Sequence, residues 1–267
     1  NCFVIFELIM KKSLFLFLIL LLNFNSVFGQ SDNLGQFDDK FFHFGFALSN
    51  NNSGFNLEKS FTHLPPGNND SLQSILVLGK PGFSLGVVTS INVNPNFKIR
   101  FVLPTLSFLE RDIEFTYLDP NSSIETTYIK QMNSTYLDFP ILFKFRTNRI
   151  HNFAMYGITG FRYGIDMTSN IDVNNGVGLE EQVIKLAKTD FGTEVGGGID
   201  LFLNYFKLGI ELKLAVGMKN LLYLNQDKLI IDENGVGQFE GEVPNVFENS
   251  IQSLRSKVWT LSFTFEG

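Results

Sequence analysis

Residues 206–217 read Phe206-Lys207-Leu208-Gly209-Ile210-Glu211-Leu212-Lys213-Leu214-Ala215-Val216-Gly217. Every even position is apolar, and every odd position is Lys, Glu, Gly or Ala. Successive side chains of a strand point to opposite faces, so an extended chain sorts this stretch into one greasy face and one charged face. A helix would scatter the same charges around its circumference.

The split recurs along the chain. In 190–203, Phe191, Val195, Ile199, Leu201 and Leu203 oppose Asp190, Glu194, Asp200 and the glycines Gly192, Gly196 and Gly198. In 153–167, Phe153, Met155, Phe161, Tyr163, Ile165 and Met167 oppose Gly160, Arg162, Gly164 and Asp166. In 135–146, Leu137, Phe139, Ile141, Phe143 and Phe145 oppose Asp138, Lys144 and Arg146. Phe97, Ile99, Phe101 and Leu103 oppose Lys98 and Arg100. Phe83, Leu85, Val87 and Ile91 oppose Ser84, Gly86 and Ser90. Phe42, Phe44, Phe46 and Leu48 oppose His43, Gly45 and Ser49. Finally Trp259, Leu261, Phe263 and Phe265 oppose Thr260, Ser262, Thr264 and Glu266. These eight segments approach the ten or so residues that cross a tilted barrel wall.

A soluble sandwich also alternates. Three features favour a membrane barrel instead. The apolar face is rich in Phe, of which the chain has 30 against one Trp and seven Tyr. The other face mixes charges with glycine, as a crowded polar lumen does. The N-terminus reads as an export signal. The predicted fold is all-β: a transmembrane, antiparallel, up-and-down barrel of about eight strands, of the outer-membrane type.

Met10-Lys11-Lys12 opens a positive segment, Ser13–Leu22 is an apolar core too short to span a bilayer, and Val27-Phe28-Gly29 supplies small residues for cleavage before Gln30. Residues 1–29 are therefore expected to be a signal peptide, with 1–9 an upstream extension before the true start at Met10. Residues 30–39 are expected to form a short periplasmic leader, and 40–267 the barrel. Beyond the signal no apolar run approaches the roughly 18 residues of a membrane helix. The chain carries net charge −6, and loss of Glu7, Lys11 and Lys12 makes it −7. That disfavours a nucleic-acid partner, which calls for a basic face. The single cysteine, Cys2, precedes the cleavage point, so disulfides, thiolate metal sites and lipoprotein acylation are not expected in the mature chain.

The connections alternate in length. Residues 92–96, 147–152 and 204–205 are short, whereas 50–81, 119–134, 168–189 and 218–257 are long and polar. Outer-membrane barrels have short periplasmic turns and long external loops. Both termini are then periplasmic, and the first strand runs outward. The third strand is expected to continue through Glu110, Asp112 and Glu114 with its even residues still facing inward. An eight-stranded barrel is filled by its own side chains. Lys98, Arg100, Lys144, Arg162 and Lys213 are expected to pair with Asp166, Glu194, Asp200 and Glu211 inside, which argues against a diffusion pore. Phe143, Phe145, Phe206, Leu208, Ile210, Leu212, Phe263 and Phe265 are expected to face outer-membrane lipid.

No catalytic set emerges. His43 lies on a polar strand face, His63 in a loop and His151 in a short turn, with no paired-histidine metal spacing. A lipid hydrolase of the barrel type would need its histidine on the outer wall, the wrong face for His43. Gly192–Gly198 lacks the Lys-Ser/Thr of a phosphate loop, and glycine in a strand more often marks close approach or a bend. The acidic pairs Glu180-Glu181, Asp232-Glu233 and Glu240/Glu242 have no EF-hand spacing and read as solvated loop residues. Pro65-Pro66-Gly67 marks a turn. No cofactor, metal or small-molecule substrate is expected.

The segments Leu103-Pro104-Thr105-Leu106-Ser107-Phe108 and Tyr136-Leu137-Asp138-Phe139-Pro140-Ile141-Leu142-Phe143-Lys144-Phe145 resemble the outer-membrane barrels of Bacteroidetes. Two stretches are more particular: Gly192-Thr193-Glu194-Val195-Gly196-Gly197-Gly198-Ile199-Asp200, and Asn249–Lys257 leading into Leu261–Glu266. Together with the order of strands and loops, over residues 40–267, they are similar to the PorT (SprT-like) family. The resemblance implies a non-enzymatic barrel of the type IX protein secretion system and of gliding motility, whose partners are other secretion-system proteins. It brings no catalytic residues with it. The alternative is a general structural or adhesive barrel of the OmpA/OmpX kind with surface-binding loops. Loop 218–257, the longest, is the expected partner-binding segment.

Overall fold

The computed structural model describes residues 33–60, 71–118, 125–171, 173, 180–223, 228–231, 237–240 and 245–267. The signal segment 1–29, His63 and the turn at Pro65–Gly67 lie outside them. The strands are β1 (Phe42–Lys59), β2 (Ser71–Asn94), β3 (Phe97–Leu118), β4 (Glu125–Arg146), β5 (Phe153–Asp166), β6 (Thr189–Phe202) and β7 (Lys207–Gly217), then the short pair β8 (Lys228–Ile231) and β9 (Gly237–Glu240), the single turn α1 (Val246–Asn249), and β10 (Ile251–Glu266).

Eight of these strands close a ring in the order β1-β10-β7-β6-β5-β4-β3-β2, each antiparallel to its neighbours, while β8 pairs with β9 in a separate two-stranded sheet. Closure is made between the ends of the chain, with Gly45 opposite Glu266 and Leu48 opposite Phe263. Closing the ring removes both sheet edges, so the barrel wall offers no unpaired strand to lipid.

The parity read from the sequence fixes which way each side chain points. On β5 every even residue from Ala154 to Asp166 is buried. On β7 Leu212 stands 54 % exposed while Glu211 is 1 % exposed. Among the residues assigned to the outer face, Leu212, Phe145 and Phe263 are open, whereas Phe143, Phe206, Leu208, Ile210 and Phe265 are half-buried. The rings of Phe46 and Phe206 lie 4.8 and 5.8 Å from that of Phe265, and that of Phe97 lies 6.3 Å from Phe143. The half-burial of Phe143, Phe206 and Phe265 is thus outer rings covering one another. On β4 the outward apolar run Leu137–Phe145 spans roughly 20–25 Å of tilted wall, the height of an apolar membrane band.

Two expectations are corrected here. First, β1 to β4 run far past that band. The loops expected at 50–81 and 119–134 shrink to 60–70 and 119–124, and β10 already begins at Ile251 within the loop expected at 218–257. Beyond the lipid a wall no longer needs an apolar exterior, so Asn50, Asn52 and Asn56 of β1 face outward, a composition that mimics a loop.

Second, the inward parity of β3 does not persist through Glu110, Asp112 and Glu114. Its pairing with β4 slips between Phe101 and Thr105, around Leu103-Pro104, where the missing proline N–H interrupts the ladder. Past that point Ser107, Leu109, Arg111, Ile113, Phe115 and Tyr117 face inward, and Glu110 is exposed. Asp112 is covered and pairs with Lys80 at 2.7 Å. A matching slip on β2 between Gly79 and Phe83, at Lys80-Pro81-Gly82, turns Ile75 inward. The two slips convert the polar lumen of the band into an apolar interior above it.

Glycine is required where strands approach most closely. A Cβ on Gly160 would overlap the Ile141 carbonyl oxygen and stand 2.9 Å from Leu142 Cα, both backbone atoms that cannot swing away. Gly160→Val is expected to lower stability by roughly 1–3 kcal/mol. Gly157→Ala, at an outward site with nothing within 4 Å, should stay within about 0.5 kcal/mol. Urea midpoints of the two variants, refolded in the same detergent, make the comparison.

Candidate functional site: the filled lumen and its two plugs

The interior is stacked in layers from the short-turn mouth to the long-loop end. At the mouth sits the leader. Asp38 bridges two barrel strands, accepting from Lys98 Nζ on β3 at 3.0 Å and from both Arg146 guanidinium nitrogens on β4 at 2.8 Å. Phe37 is buried and stacks on the His43 ring at 3.8 Å. Asn92 donates to the main-chain carbonyls of Asp38 and Lys40, and also meets His43 Nε2 at 2.9 Å.

Burial pushes the Asp38 carboxyl up, but the hydrogen bond from Arg146 and the charges of Lys98 and Arg146 outweigh it and hold the group at about 2, against an ordinary 3.8. A depressed carboxyl stabilises the folded form above its unfolded value and loses that contribution as pH falls through the folded value. The window is therefore about pH 4 down to 2, and the amount is roughly 2 kcal/mol. The expected result is leader hydrogen-exchange protection that is level above pH 4 and falls below it. Asp38→Asn should remove the Asp38 contribution at every pH, although His43 and Lys207 also face this mouth.

The next layer is a continuous ionic network. Arg100 binds Glu211 and, at 2.8 Å, Glu266. Glu266 also receives Lys207 at 2.9 Å, and Lys144 meets Asp200 at 2.8 Å. Tyr156 donates its hydroxyl to Glu211 at 2.7 Å and lays its ring under Lys144 Nζ at 3.4 Å. Above this layer lies a cavity of about 50 Å³, with Ser49, Asn51, Ser84, Ser107 and Thr260 among its lining and the Glu194–Lys213 pair (3.4 Å) beside it.

Higher still, Arg162 binds Asp190 and reaches Asp138 at 3.7 Å, with Ser256 bonded to Asp190. The guanidinium of Arg111 lies over the rings of Phe55 (4.5 Å) and Tyr136 (5.6 Å). The far end is closed by an apolar cap in which Ile75, Ile113, Phe115 and Tyr117 of the projecting wall pack with Ile184, Leu186, Leu221, Leu222 and Phe247 from the long connections. Asn245 caps α1 by accepting from Phe247 N and Glu248 N, which seats Phe247 in that core.

The nine charged residues expected in the lumen all lie on its face. Lys98, Arg100, Lys144, Arg162, Glu194, Asp200, Glu211 and Lys213 enter the ion pairs above. Asp166 is buried but turns to Thr168, accepting from its N and hydroxyl at 3.0 and 3.2 Å. Lys207, Glu266, Asp190 and Arg146 also join the network, and parity alone places them there. Tyr156 and Tyr136 carry the same even-residue signal. Arg111 was hidden by the slip on β3. Nothing in the sequence marked Phe37 and Asp38 as a plug. His43 sits in the lumen, engaged by Phe37 and Asn92. Of the acidic loop pairs, Glu180 and Glu181 are described, Asp232-Glu233 and Glu242 are not, and Glu240 falls on β9.

A family model for the outer membrane protein beta-barrel domain matches residues 28–223. The chain belongs to that family. It is an outer-membrane β-barrel. The matched span takes in β1 to β7, and β10 completes the ring. No curated protein matches the chain. Among solved structures, the outer membrane protein OprG from Pseudomonas aeruginosa is similar with a TM-score of 0.39 and 10% identity, over 84% of this chain and 95% of that one.

Proposed function

We propose that this barrel is a non-enzymatic component of the type IX protein secretion machinery, which also serves gliding motility, and that it works through protein–protein contacts rather than by conducting cargo. One observation carries the reading. The lumen is packed with ion pairs, plugged at one mouth and capped at the other, and its cavity of about 50 Å³ holds on the order of three or four waters. No polypeptide passes such a space, so the barrel's work falls to its ends and its wall.

The Gly192–Asp200 and Asn249–Glu266 stretches, similar to the PorT family, supply the choice of machine. In the same reading residues 1–29 are the export signal, the short-turn end with both termini is periplasmic, and the projecting wall with the long connections is external. His43 is engaged by Asn92 and Phe37. The test is deletion of the gene. Cargo bearing a C-terminal sorting domain should accumulate in the periplasm, and normal secretion by the mutant would end the reading.

A second reading, a general structural or adhesive barrel, draws support from Leu76, Leu78 and Ile129, which stand exposed on the projecting part of β2 and β4. It predicts that shortening the external hairpins impairs surface binding and leaves secretion intact.

A further inference from the structure

The leader is held in the mouth differently from every strand around it. Among the described residues, 33–40 form no main-chain ladder with the barrel; their one internal main-chain bond is Phe37 N to Leu34 O. Barrel side chains grip the leader instead. Asn92 reads the carbonyls of Asp38 and Lys40, and Arg149 reads those of Asn33 and Leu34. Asn152 accepts from Asn33 N at 2.8 Å. Two side-chain pockets complete the cradle. Lys98 and Arg146 take the carboxylate of Asp38, and His43 with Phe202 and Ala154 takes the ring of Phe37. Lys207 Nζ stands 4.9 Å from that ring.

This is the chemistry of a peptide-binding site: main-chain carbonyls read by fixed amides and guanidinium, one aromatic pocket, and one anion pocket immediately after it. The anion pocket is Lys98 and Arg146, whose ion-pair partner is the leader's own Asp38, while Glu266 nearby is engaged by Arg100 and Lys207. We propose that the short-turn mouth is a peptide-recognition site whose resting occupant is the chain's own leader, and that an extended segment of a partner carrying an aromatic residue followed by an acidic one displaces it. The leader is then a competitor in cis, and release costs side-chain contacts without breaking any strand pairing. Only the compartment of the partner, the periplasm, rests on the orientation proposed above; the binding itself does not.

The test uses the full mature chain in detergent and a fluorescein-labelled peptide copying residues 33–41. Phe37→Ala/Asp38→Ala should bind the peptide at least tenfold more tightly than the unaltered barrel, because its own leader no longer competes. Adding Lys98→Glu, or replacing the acid of the peptide by lysine, should abolish the gain. Heat-modifiable gel mobility on the same samples reports whether each variant is folded. An independent arm needs no substitution: excess peptide should speed tryptic cleavage after Lys40 of the unaltered barrel at least tenfold. Equal affinity of both barrels, binding to neither, or a cleavage rate indifferent to peptide would overturn the proposal.

Discussion

Arg100→Met should lower the unfolding free energy of the barrel by about 3–5 kcal/mol. Arg100 is 1 % exposed and links two strands on the far side of the lumen, binding Glu211 of β7 and Glu266 of β10. Methionine keeps most of the length and removes the charge. Glu266 would retain Lys207, but Glu211 would lose its direct ion pair and keep the hydroxyl of Tyr156, with Lys213 and Lys144 acting on it at longer range. An anion stranded in the interior is what makes breaking a buried pair far more costly than never having built it. The size of the loss therefore depends on the partner left behind. Arg100→Met/Glu211→Gln should recover a substantial part of it, a coupling of about 0.5–3 kcal/mol. Urea unfolding followed by Trp259, the chain's single tryptophan, measures both variants. A single-variant loss below about 0.5 kcal/mol would mean that the ionic layer does not support the fold.

Leu212→Arg should cost about 2–4 kcal/mol. Leu212 lies midway along β7, opposite Leu261 of β10 and Gly197 of β6, and it is 54 % exposed on the outer wall. A guanidinium there meets acyl chains at the centre of the band, with no lumen carboxylate within reach. One position along, Lys213 is already cationic and pairs with Glu194 inside. Lys213→Arg should thus be tolerated within about 1 kcal/mol. Identical residue types at neighbouring positions would differ sharply in cost, an outcome that a wall wet on both faces does not produce. Refolding yield and urea midpoint in lipid vesicles report the difference.

The parts of the fold that period two controls were legible from residues alone. The band needs an apolar exterior and a crowded interior, so Phe206–Gly217 could satisfy both only as a strand. The lumen side of Lys98, Arg100, Lys144, Arg162 and Glu211 followed from the same rule. Legibility ended where the physical demand changed. Above the band, solvent accepts Asn50, Asn52 and Asn56, so β1 reads as loop although its ladder continues to Lys59. Pro81 and Pro104 interrupt β2 and β3, and one slipped residue reverses every side chain beyond it. Arg111 thereby moved inside while Glu110 moved out. The leader plug depends on contacts such as Asp38–Arg146, 108 residues apart in the chain, for which no local pattern exists. The apolar cap is similarly assembled from Ile184, Leu221 and Phe247 on separate connections.

The central claim is that β7 turns one face to lipid and the other to a sealed, charged interior. Single cysteines introduced along 208–215, labelled with a fluorophore and reconstituted in vesicles, test it directly. Labels at Leu208, Ile210, Leu212 and Leu214 should be quenched by doxyl groups on the acyl chains, and those at Gly209, Lys213 and Ala215 should not, giving a profile with a period of two residues. A flat profile, or quenching of the even positions by a water-soluble agent instead, would contradict it.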